Sequence, residues 1–442
     1  MINNKTVAFC TLGCRVNQYE TRAVEESFLR EGFSVGRFTQ ECDVYVINTC
    51  TVTGESDRKS RQMIRRAVKN GKGKAVVAVM GCMSQVDAKA AAGIEGVSIV
   101  LGNGEKMSCV AKVLSELDKK DRNGITCKAD VPDIYCYDKI EKMSVTGSDN
   151  TRAFLKVVDG CENKCSYCII PSARGKIRSK PIDDVVKECK DIISLGGCRE
   201  IVLTGIETAA YGKDLGTDLV NLAEAVSKVD GVKRIRFGSL EPTVLKEEFI
   251  KRLSEIPSFM PHFHLSLQSG SDSVLARMKR KYNTTMFYEK ICLLRKYFPQ
   301  CQITTDIIVG FPGETEEEFQ QTVEFAKKCR FLYVHIFPYS DRKGTVASDM
   351  NGKWDDKTKQ HRVKALEDVM HTTRREILKE NIGKTMHILC ETDKGGFMHG
   401  YTENYIEVRV KNDGFKPNDI VKVKLEAIET DGEFITCTPT ED

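Results

Sequence analysis

Three cysteines stand at C-x3-C-x2-C spacing in Asp159-Gly160-Cys161-Glu162-Asn163-Lys164-Cys165-Ser166-Tyr167-Cys168. Thiolates spaced this closely can hold three corners of a cubane iron–sulfur cluster. An electron-carrying ferredoxin motif would add a fourth cysteine soon after. Here Ile169-Ile170-Pro171-Ser172 follow, and the next cysteine is Cys189. One iron is then left for an exogenous ligand, the feature that separates catalytic metal sites from closed structural ones. A zinc knot, or loop cysteines without metal, is the competing reading of this array alone. Three more cysteines recur on polar turns: Leu12-Gly13-Cys14, Asn48-Thr49-Cys50 and Met80-Gly81-Cys82.

The elements around those turns explain why they matter. Thr6-Val7-Ala8-Phe9-Cys10-Thr11-Leu12, Cys42 to Asn48 and Lys74 to Met80 read as buried strands, and Gln18 to Leu29 as an amphipathic helix. Strands alternating with helices predict a parallel, doubly wound sheet over residues 1–140. In such sheets ligands collect beyond the carboxyl ends of the strands, so Cys14, Cys50 and Cys82 are expected to converge into a second three-cysteine cluster site. Small buried cysteines that merely fill strand ends are the bland alternative. The helix between the second and third strands carries Arg58, Lys59, Arg61, Arg65, Arg66 and Lys69. That face is either solvated or suited to a phosphate backbone.

Residues 118–150 lose periodicity and read as a linker. From Thr151 six strand candidates follow: Phe154–Val158, which delivers the Cys161 array, then Glu200–Thr204, Arg234–Gly238, His262–Leu267, Ile303–Val309 and Tyr333–Phe337. Six β/α units over residues 150–380 predict an incomplete (β/α)6 barrel, whose lateral gap admits a large substrate. Residues 381–442 change to short alternating strands with glycine turns, a small β-barrel pattern.

With 442 residues the chain is long enough for two or three domains; its 18 cysteines are heavy usage, but the chain is far too long for a disulfide-stapled secreted module. No apolar run reaches membrane-spanning length, and Met1-Ile2-Asn3-Asn4-Lys5 lead straight into a strand-like stretch. The expectation is a cytoplasmic protein without a membrane partner, its thiols reserved for metal. The net charge of +4 is only weakly indicative of an anionic partner.

The Cys161 array resembles the signature of radical S-adenosylmethionine (SAM) enzymes, in which SAM chelates the open iron. On a β/α barrel the loops after the strands form the active face. The glycine-bearing, polar stretches taken as such loops make Gly196, Gly197, Glu200, Glu241, Gln268 and Asp306 the candidate SAM contacts. The whole chain, with its three-cysteine amino-terminal region, radical-SAM core and carboxy-terminal TRAM-like barrel, resembles the methylthiotransferases. Within that family it is most similar to the type acting on N6-threonylcarbamoyladenosine at tRNA position 37. The residues carrying this are Phe9–Gln18, Leu203-Thr204-Gly205-Ile206-Glu207-Thr208 and Arg277-Met278-Lys279-Arg280-Lys281-Tyr282. Relatives acting on isopentenyladenosine, or on a ribosomal-protein aspartate, share both triads and the domain order.

The resemblance implies two [4Fe-4S] clusters and SAM. The cluster on Cys161, Cys165 and Cys168 would cleave SAM to a radical that abstracts hydrogen from carbon 2 of adenine. The cluster on Cys14, Cys50 and Cys82 would hold a sulfur that a second SAM methylates before transfer. No side-chain acid or base is nominated. The implied partners are a tRNA anticodon stem-loop, with the target base splayed out of its stack, and an external electron donor; a monomer is expected. Gly383 to Asp442 carry seven Lys/Arg against twelve Asp/Glu, a formal −5, which is unusual for an RNA-binding barrel. The tRNA is therefore expected to rest on the Arg58–Lys69 helix and on Arg277, Lys279, Arg280 and Lys281. Arg174, Lys176 and Arg178 are candidate donors to the threonylcarbamoyl group. Two rival classes, a protein-modifying radical SAM enzyme and a non-catalytic cluster carrier, keep the triads but lose tRNA affinity or SAM cleavage.

Overall fold

Runs of buried β-branched residues separated by amphipathic helices build three sheet systems in a computed structural model that describes residues 5–119, 127, 129–147, 151–429 and 434–440. Residues 1–4 and parts of the expected linker, 120–126, 128 and 148–150, lie outside the described residues. The first system holds β1 (Thr6–Thr11), β2 (Ser34–Val35), β3 (Val44–Thr49), β4 (Val76–Gly81) and β5 (Ile99–Val100), all parallel in the order β2-β1-β3-β4-β5. β3 and β4 are buried along their whole length, as central parallel strands must be. Helices α1 (Arg15–Arg30), α2 (Gly54–Asn70) and α3 (Cys82–Val86) leave the ends of β1, β3 and β4. The short edge strands β2 and β5 give little period-2 signal, and only the three long strands are legible as such.

The second system is a half-barrel in two sheets. β6 (Arg152–Asp159), β8 (Glu200–Gly205) and β9 (Arg234–Phe237) are parallel, with the two-residue β7 (Arg178–Ser179) antiparallel on the edge of β6. β10 (His262–Gln268), β11 (Gln302–Val309) and β12 (Tyr333–Pro338) form the other parallel sheet. Single parallel bridges, Ile235 to Phe259 and Leu240 to Leu265, join the two. Six parallel strands thus curl around a lumen without closing. One large core runs through this half-barrel and takes in Tyr19 and Ala23 of α1.

The third system is a closed five-stranded barrel of β13 (Thr385–Lys394), β14 (Phe397–Thr402), β15 (Glu407–Lys411), β16 (Ile420–Ile428) and β17 (Ile435–Pro439). Sequence periodicity shows three of the five. β14 contains Gly400, where a side chain would press on the backbone of Leu389, so this close strand crossing looks like a turn in sequence. The barrel seats on the amino-terminal mouth of the half-barrel. Arg234 donates to the carbonyls of Tyr401 and His387, Arg236 to that of Thr402, and Arg152 pairs with Glu391. Leu332, at the start of β12, and Ile377 and Leu378 of the helix Asp356–Lys379 complete its core. No helix among the described residues is long and apolar enough to cross a membrane.

Two cysteine triads across a buried charge network

Each triad is built where strands end. Cys14 is the N-cap residue of α1, Cys50 directly follows β3 and Cys82 opens α3. β1, β3 and β4 are adjacent and in register, so their ends lie about 5 Å apart. Asn17, fully buried, donates through Nδ2 to the carbonyls of Leu12 (2.7 Å) and Thr49 (3.1 Å), clamping the Cys14 and Cys50 turns together. Thr49 Oγ1 donates to the Met80 carbonyl at 2.7 Å, tying the third turn in. Ser60 of α2 holds Cys50 from both sides, accepting from its N–H and donating to its carbonyl. Gly13 sits at φ +93°, and a Cβ there would lie 2.8 Å from Cys50 Sγ. Only glycine lets the Cys14 turn approach so closely.

The second triad occupies the loop after β6. Gly160, at φ +83°, has the Lys176 carbonyl oxygen 1.7 Å from where a Cβ would be, so the loop is pressed against the chain returning from the helix Ile170–Arg174. Cys161 N–H donates to the Gly175 carbonyl at 3.0 Å. Arg280 Nη1 lies 3.0 Å from Cys165 Sγ and pairs with Glu241 at 3.4 Å. Glu207, two residues beyond β8, reaches Cys161 Sγ at 3.8 Å and accepts from Asn163 Nδ2 at 2.8 Å. Lys281 Nζ donates to Asn163 Oδ1 at 2.5 Å. Burial, Glu207 and the neighbouring thiols push the Cys161 thiol up to about 12; burial chiefly pushes Cys168 up to about 11. Burial and the Glu241 carboxylate raise the Glu207 carboxyl. A cavity of about 500 Å³ opens beside this loop, lined by Asn163, Glu207, Glu241 and Lys281.

Between the triads lies a buried charge network shared by the first sheet and the half-barrel. Glu20 of α1 and Arg174 are both 0% exposed. Arg174 donates to Glu20 at 2.5 Å, to Asn17 Oδ1 at 2.6 Å and to Asp159 at 3.3 Å. Lys156 bridges Glu20 (2.7 Å) and Asp159 (2.5 Å), Lys106 also pairs with Glu20, and Arg178 stands 3.8 Å from Asp159. Burial alone would raise the Glu20 carboxyl; Arg174, Lys106 and Lys156 overcome it and hold it well below the usual carboxylate range. The same balance puts Asp159 at about 2. Four cations thus share two carboxylates. The surplus positive charge faces the amino-terminal triad: Cys82 is the strongest attractive partner in the field at Arg174. Arg174 Nε and Asn103 Oδ1 are buried without a hydrogen-bond partner among the described residues, while Asn103 Nδ2 lies 3.6 Å from Cys82 Sγ. Three thiols on clamped turns against surplus cations suit an anionic iron–sulfur thiolate group. None of the described cysteines is in a disulfide.

Of the six sequence-nominated SAM contacts, Glu241 lines the cavity by the Cys161 loop, and Gln268 ends β10 with φ +71° on the same face. Asp306 lies midway along β11, 3.1 Å from His264 Nε2 in the lumen. Gly196, Gly197 and Glu200 are at the opposite end. Gly197 is the left-handed cap of the helix Ile182–Gly196, and Glu200 is opposite Arg152 at the start of β6, roughly 20 Å of strand from Cys161. Glu200 there pairs with Arg236 at 3.0 Å. The glycine pair precedes its strand and caps a helix, which a sequence pattern cannot separate from a loop that follows one. Arg174 and Arg178 are buried in the charge network and on backbone carbonyls, and Lys176 pairs with Asp138; none faces an open site. Arg280 and Lys281 turn toward the cysteine loop and Arg277 is held by Glu318 at 2.6 Å, leaving Lys279 exposed. Asn163, Glu207, Arg280 and Lys281 are the site residues that cysteine spacing alone does not reveal; the last three lie within stretches that carry the family resemblance.

Residues 155–326 match the model of the radical SAM superfamily, and residues 6–102 that of the uncharacterized protein family UPF0004. The threonylcarbamoyladenosine tRNA methylthiotransferase MtaB of Bacillus subtilis is 39% identical, over 95% of this chain and 93% of that one. The tRNA-2-methylthio-N(6)-dimethylallyladenosine synthase of Fervidobacterium nodosum is 33% identical over 96% and 97%. Among solved structures, the radical S-adenosylmethionine methyltransferase TsrM of Kitasatospora setae, with cobalamin and a [4Fe-4S] cluster bound, superposes at TM-score 0.54. At 15% identity over 78% of this chain and 77% of that one, the likeness is one of fold. Near-full-length identity at this level, with residues 6–102 and 155–326 each matched to a family model, carries the assignment: the chain belongs to the radical SAM methylthiotransferase family.

Proposed function

We propose that this enzyme installs a methylthio group at carbon 2 of N6-threonylcarbamoyladenosine at position 37 of tRNA. The observation that carries the reading is the 39% identity, over 95% of the chain, to a methylthiotransferase named for that nucleoside. The two triads facing a common charge network support the division of labour it requires. Cys161, Cys165 and Cys168 would hold the first [4Fe-4S] cluster, and Cys14, Cys50 and Cys82 the second. With both clusters and SAM bound, the site supplies one-electron hydrogen abstraction and a transferable methylated sulfur. The chain's own residues do the positioning. Glu207 and Glu241 present carboxylates to the cavity beside Cys161, suited to an ammonium or to ribose hydroxyls. Lys281 fixes Asn163, and Asn163 fixes Glu207. Arg280 directs a guanidinium at Cys165 Sγ, stabilising a thiolate there. Arg174, bonded to Asn17 of α1 and to Asp159 at the end of β6, ties the two triads' elements together.

The exposed face of α2, with Arg58, Lys59, Arg65, Arg66 and Lys69, is the surface suited to the tRNA backbone. Electrons come from an external donor. The test is a competition between anticodon stem-loops carrying threonylcarbamoyladenosine or isopentenyladenosine in one anaerobic reaction, read by nucleoside mass spectrometry. The threonylcarbamoyl loop should be modified at least tenfold faster. Equal turnover, or preference for the isopentenyl loop, would overturn the substrate and leave the enzyme class standing.

A further inference from the structure

The lumen of the half-barrel contains a second cavity, of about 450 Å³, between the strands and the seated carboxy-terminal barrel. That volume is in the range of small-ligand sites, about 300–1,000 Å³. Its upper rim is Gly238-Ser239, two residues before Glu241, which lines the cavity beside the Cys161 loop. The lumen cavity therefore lies below the face that carries the cysteine loop, toward the amino-terminal mouth, with Gly238-Ser239 on its side nearest that loop.

Its lining is polar in a specific way. Arg236 is 2% exposed, and two of its nitrogens are taken by Glu200 (3.0 Å) and the Thr402 carbonyl (3.1 Å). The third, Nη1, is buried without a hydrogen-bond partner among the described residues. An unsatisfied buried donor on a guanidinium is costly, and proteins retain few of them. His262 stacks on Tyr405 with centroids 4.1 Å apart and planes 12° from parallel, and Arg236 lies over the same tyrosine. His264 and His335 lie side by side on one wall of the lumen, on either side of β11, with ring centroids 5.8 Å apart. Burial pushes the His262 and His335 imidazoles down, so both are neutral and offer one donor and one acceptor each. Two carboxylates also bear on the space: Asp306, held by His264, and Glu407 in the outer wall.

We infer that this lumen cavity seats the N6-threonylcarbamoyl tail of the target base, with Arg236 taking its carboxylate and His335 acting as a specificity determinant. The inference rests on the substrate reading above. A tail with a carboxylate, a hydroxyl and two carbamoyl N–H groups pairs the cationic donor and finds acceptors in the imidazoles and carboxylates. An isopentenyl tail would cover the same groups with carbon and leave them unpaired, which is how polar sites reject apolar analogues. His335, near the open edge of the half-barrel, is exposed and can be changed without disturbing the core.

The test is fluorescence-anisotropy binding of anticodon stem-loops bearing threonylcarbamoyladenosine, its carboxyl methyl ester, unmodified adenosine or isopentenyladenosine, without turnover. The wild-type enzyme should prefer the free acid to unmodified adenosine and to the ester by about tenfold. His335→Leu should reduce the acid-to-adenosine ratio severalfold and improve the isopentenyl loop. Arg236→Gln should abolish discrimination between acid and ester; should it fail to fold, judged by its thermal melt, His335→Leu carries the test. A wild-type preference for the acid that both folded variants keep within twofold overturns the cavity assignment while the substrate stands. No wild-type preference for the acid over the isopentenyl loop overturns the substrate and, with it, this inference.

Discussion

Replacing Glu20 by Gln removes the anion that three buried cations share. Lys106, Lys156 and Arg174 all bond to it, and afterwards Asp159 would be the carboxylate left to Lys156 and Arg174, while Lys106 would lose its ion pair. Breaking a buried ion pair by removing one partner typically destabilises by about 3–5 kcal/mol, because the remaining charge keeps its desolvation penalty. At about 2–4 °C per kcal/mol for a unit of 150–250 residues, the first unfolding transition should fall by about 6–20 °C in calorimetry. Lys106 identifies the rescue. Its ammonium is pushed down by burial and by Arg174 despite Glu20, so it is the cation the network can most readily lose. Adding Lys106→Met to Glu20→Gln should recover half or more of the loss, a coupling measurable as a double-mutant cycle. The pH dependence has a definite sign. The folded carboxyl titrates well below its unfolded value of about 4.3, so its stabilisation is full above that pH and drains away as pH falls toward the folded value. The acidic limb should be shallower in Glu20→Gln, Asp159 supplying what remains of it. A single variant melting within 2 °C of wild type, or a double variant no better than the single, would refute the charge-balancing account.

Four further outcomes are expected. Anaerobically reconstituted enzyme should hold about eight irons, and alanine at Cys161, Cys165 and Cys168 together, or at Cys14, Cys50 and Cys82 together, should leave about half by iron analysis; undiminished iron in either removes that triad from the cluster assignment. Cys50→Ala should still cleave SAM to 5′-deoxyadenosine under dithionite while methylthiolation stops, and product in that variant, its cluster shown absent, would contradict the sulfur role. Gly160→Ala should fail to hold the cluster on Cys161, Cys165 and Cys168, because its Cβ has the Lys176 carbonyl 1.7 Å away; normal cluster spectra would show that the loop yields. Arg65→Ala with Lys69→Ala should lower the salt slope of stem-loop binding by about 1.4–1.8, and an unchanged slope would place the RNA elsewhere.

Much of this was legible in the residues themselves. Six half-barrel strands and three strand ends carrying cysteines follow from hydrophobic runs and punctuation, and the thiol-bearing turns do lie side by side. The failures share a cause. A sequence does not say which end of a strand faces the site, so Gly196-Gly197 and Glu200 read as loop chemistry although they cap a helix and anchor Arg236 at the far mouth. Nor does it say which cations are buried. Arg174 looks like a solvated residue in a basic loop and is fully buried, because its partners Asn17 and Glu20 come from α1 in the amino-terminal region. Glu207 is one acidic residue among many until β8 and the cysteine loop are seen side by side.

The placement of Arg174 also imposes an order on synthesis. It lies 154 residues after Glu20 and 157 after Asn17, so at about 5–20 residues per second it leaves the ribosome roughly 8–30 s behind them. Once Cys82 has emerged, 92 residues ahead of Arg174, the nascent amino-terminal sheet has its three cysteines but neither the guanidinium that braces Asn17 nor the second wall that encloses Cys82. The surroundings of Cys14, Cys50 and Cys82 are completed only by the stretch of chain that follows Cys161, Cys165 and Cys168. The first triad therefore gains its buried cation only after the second triad has emerged.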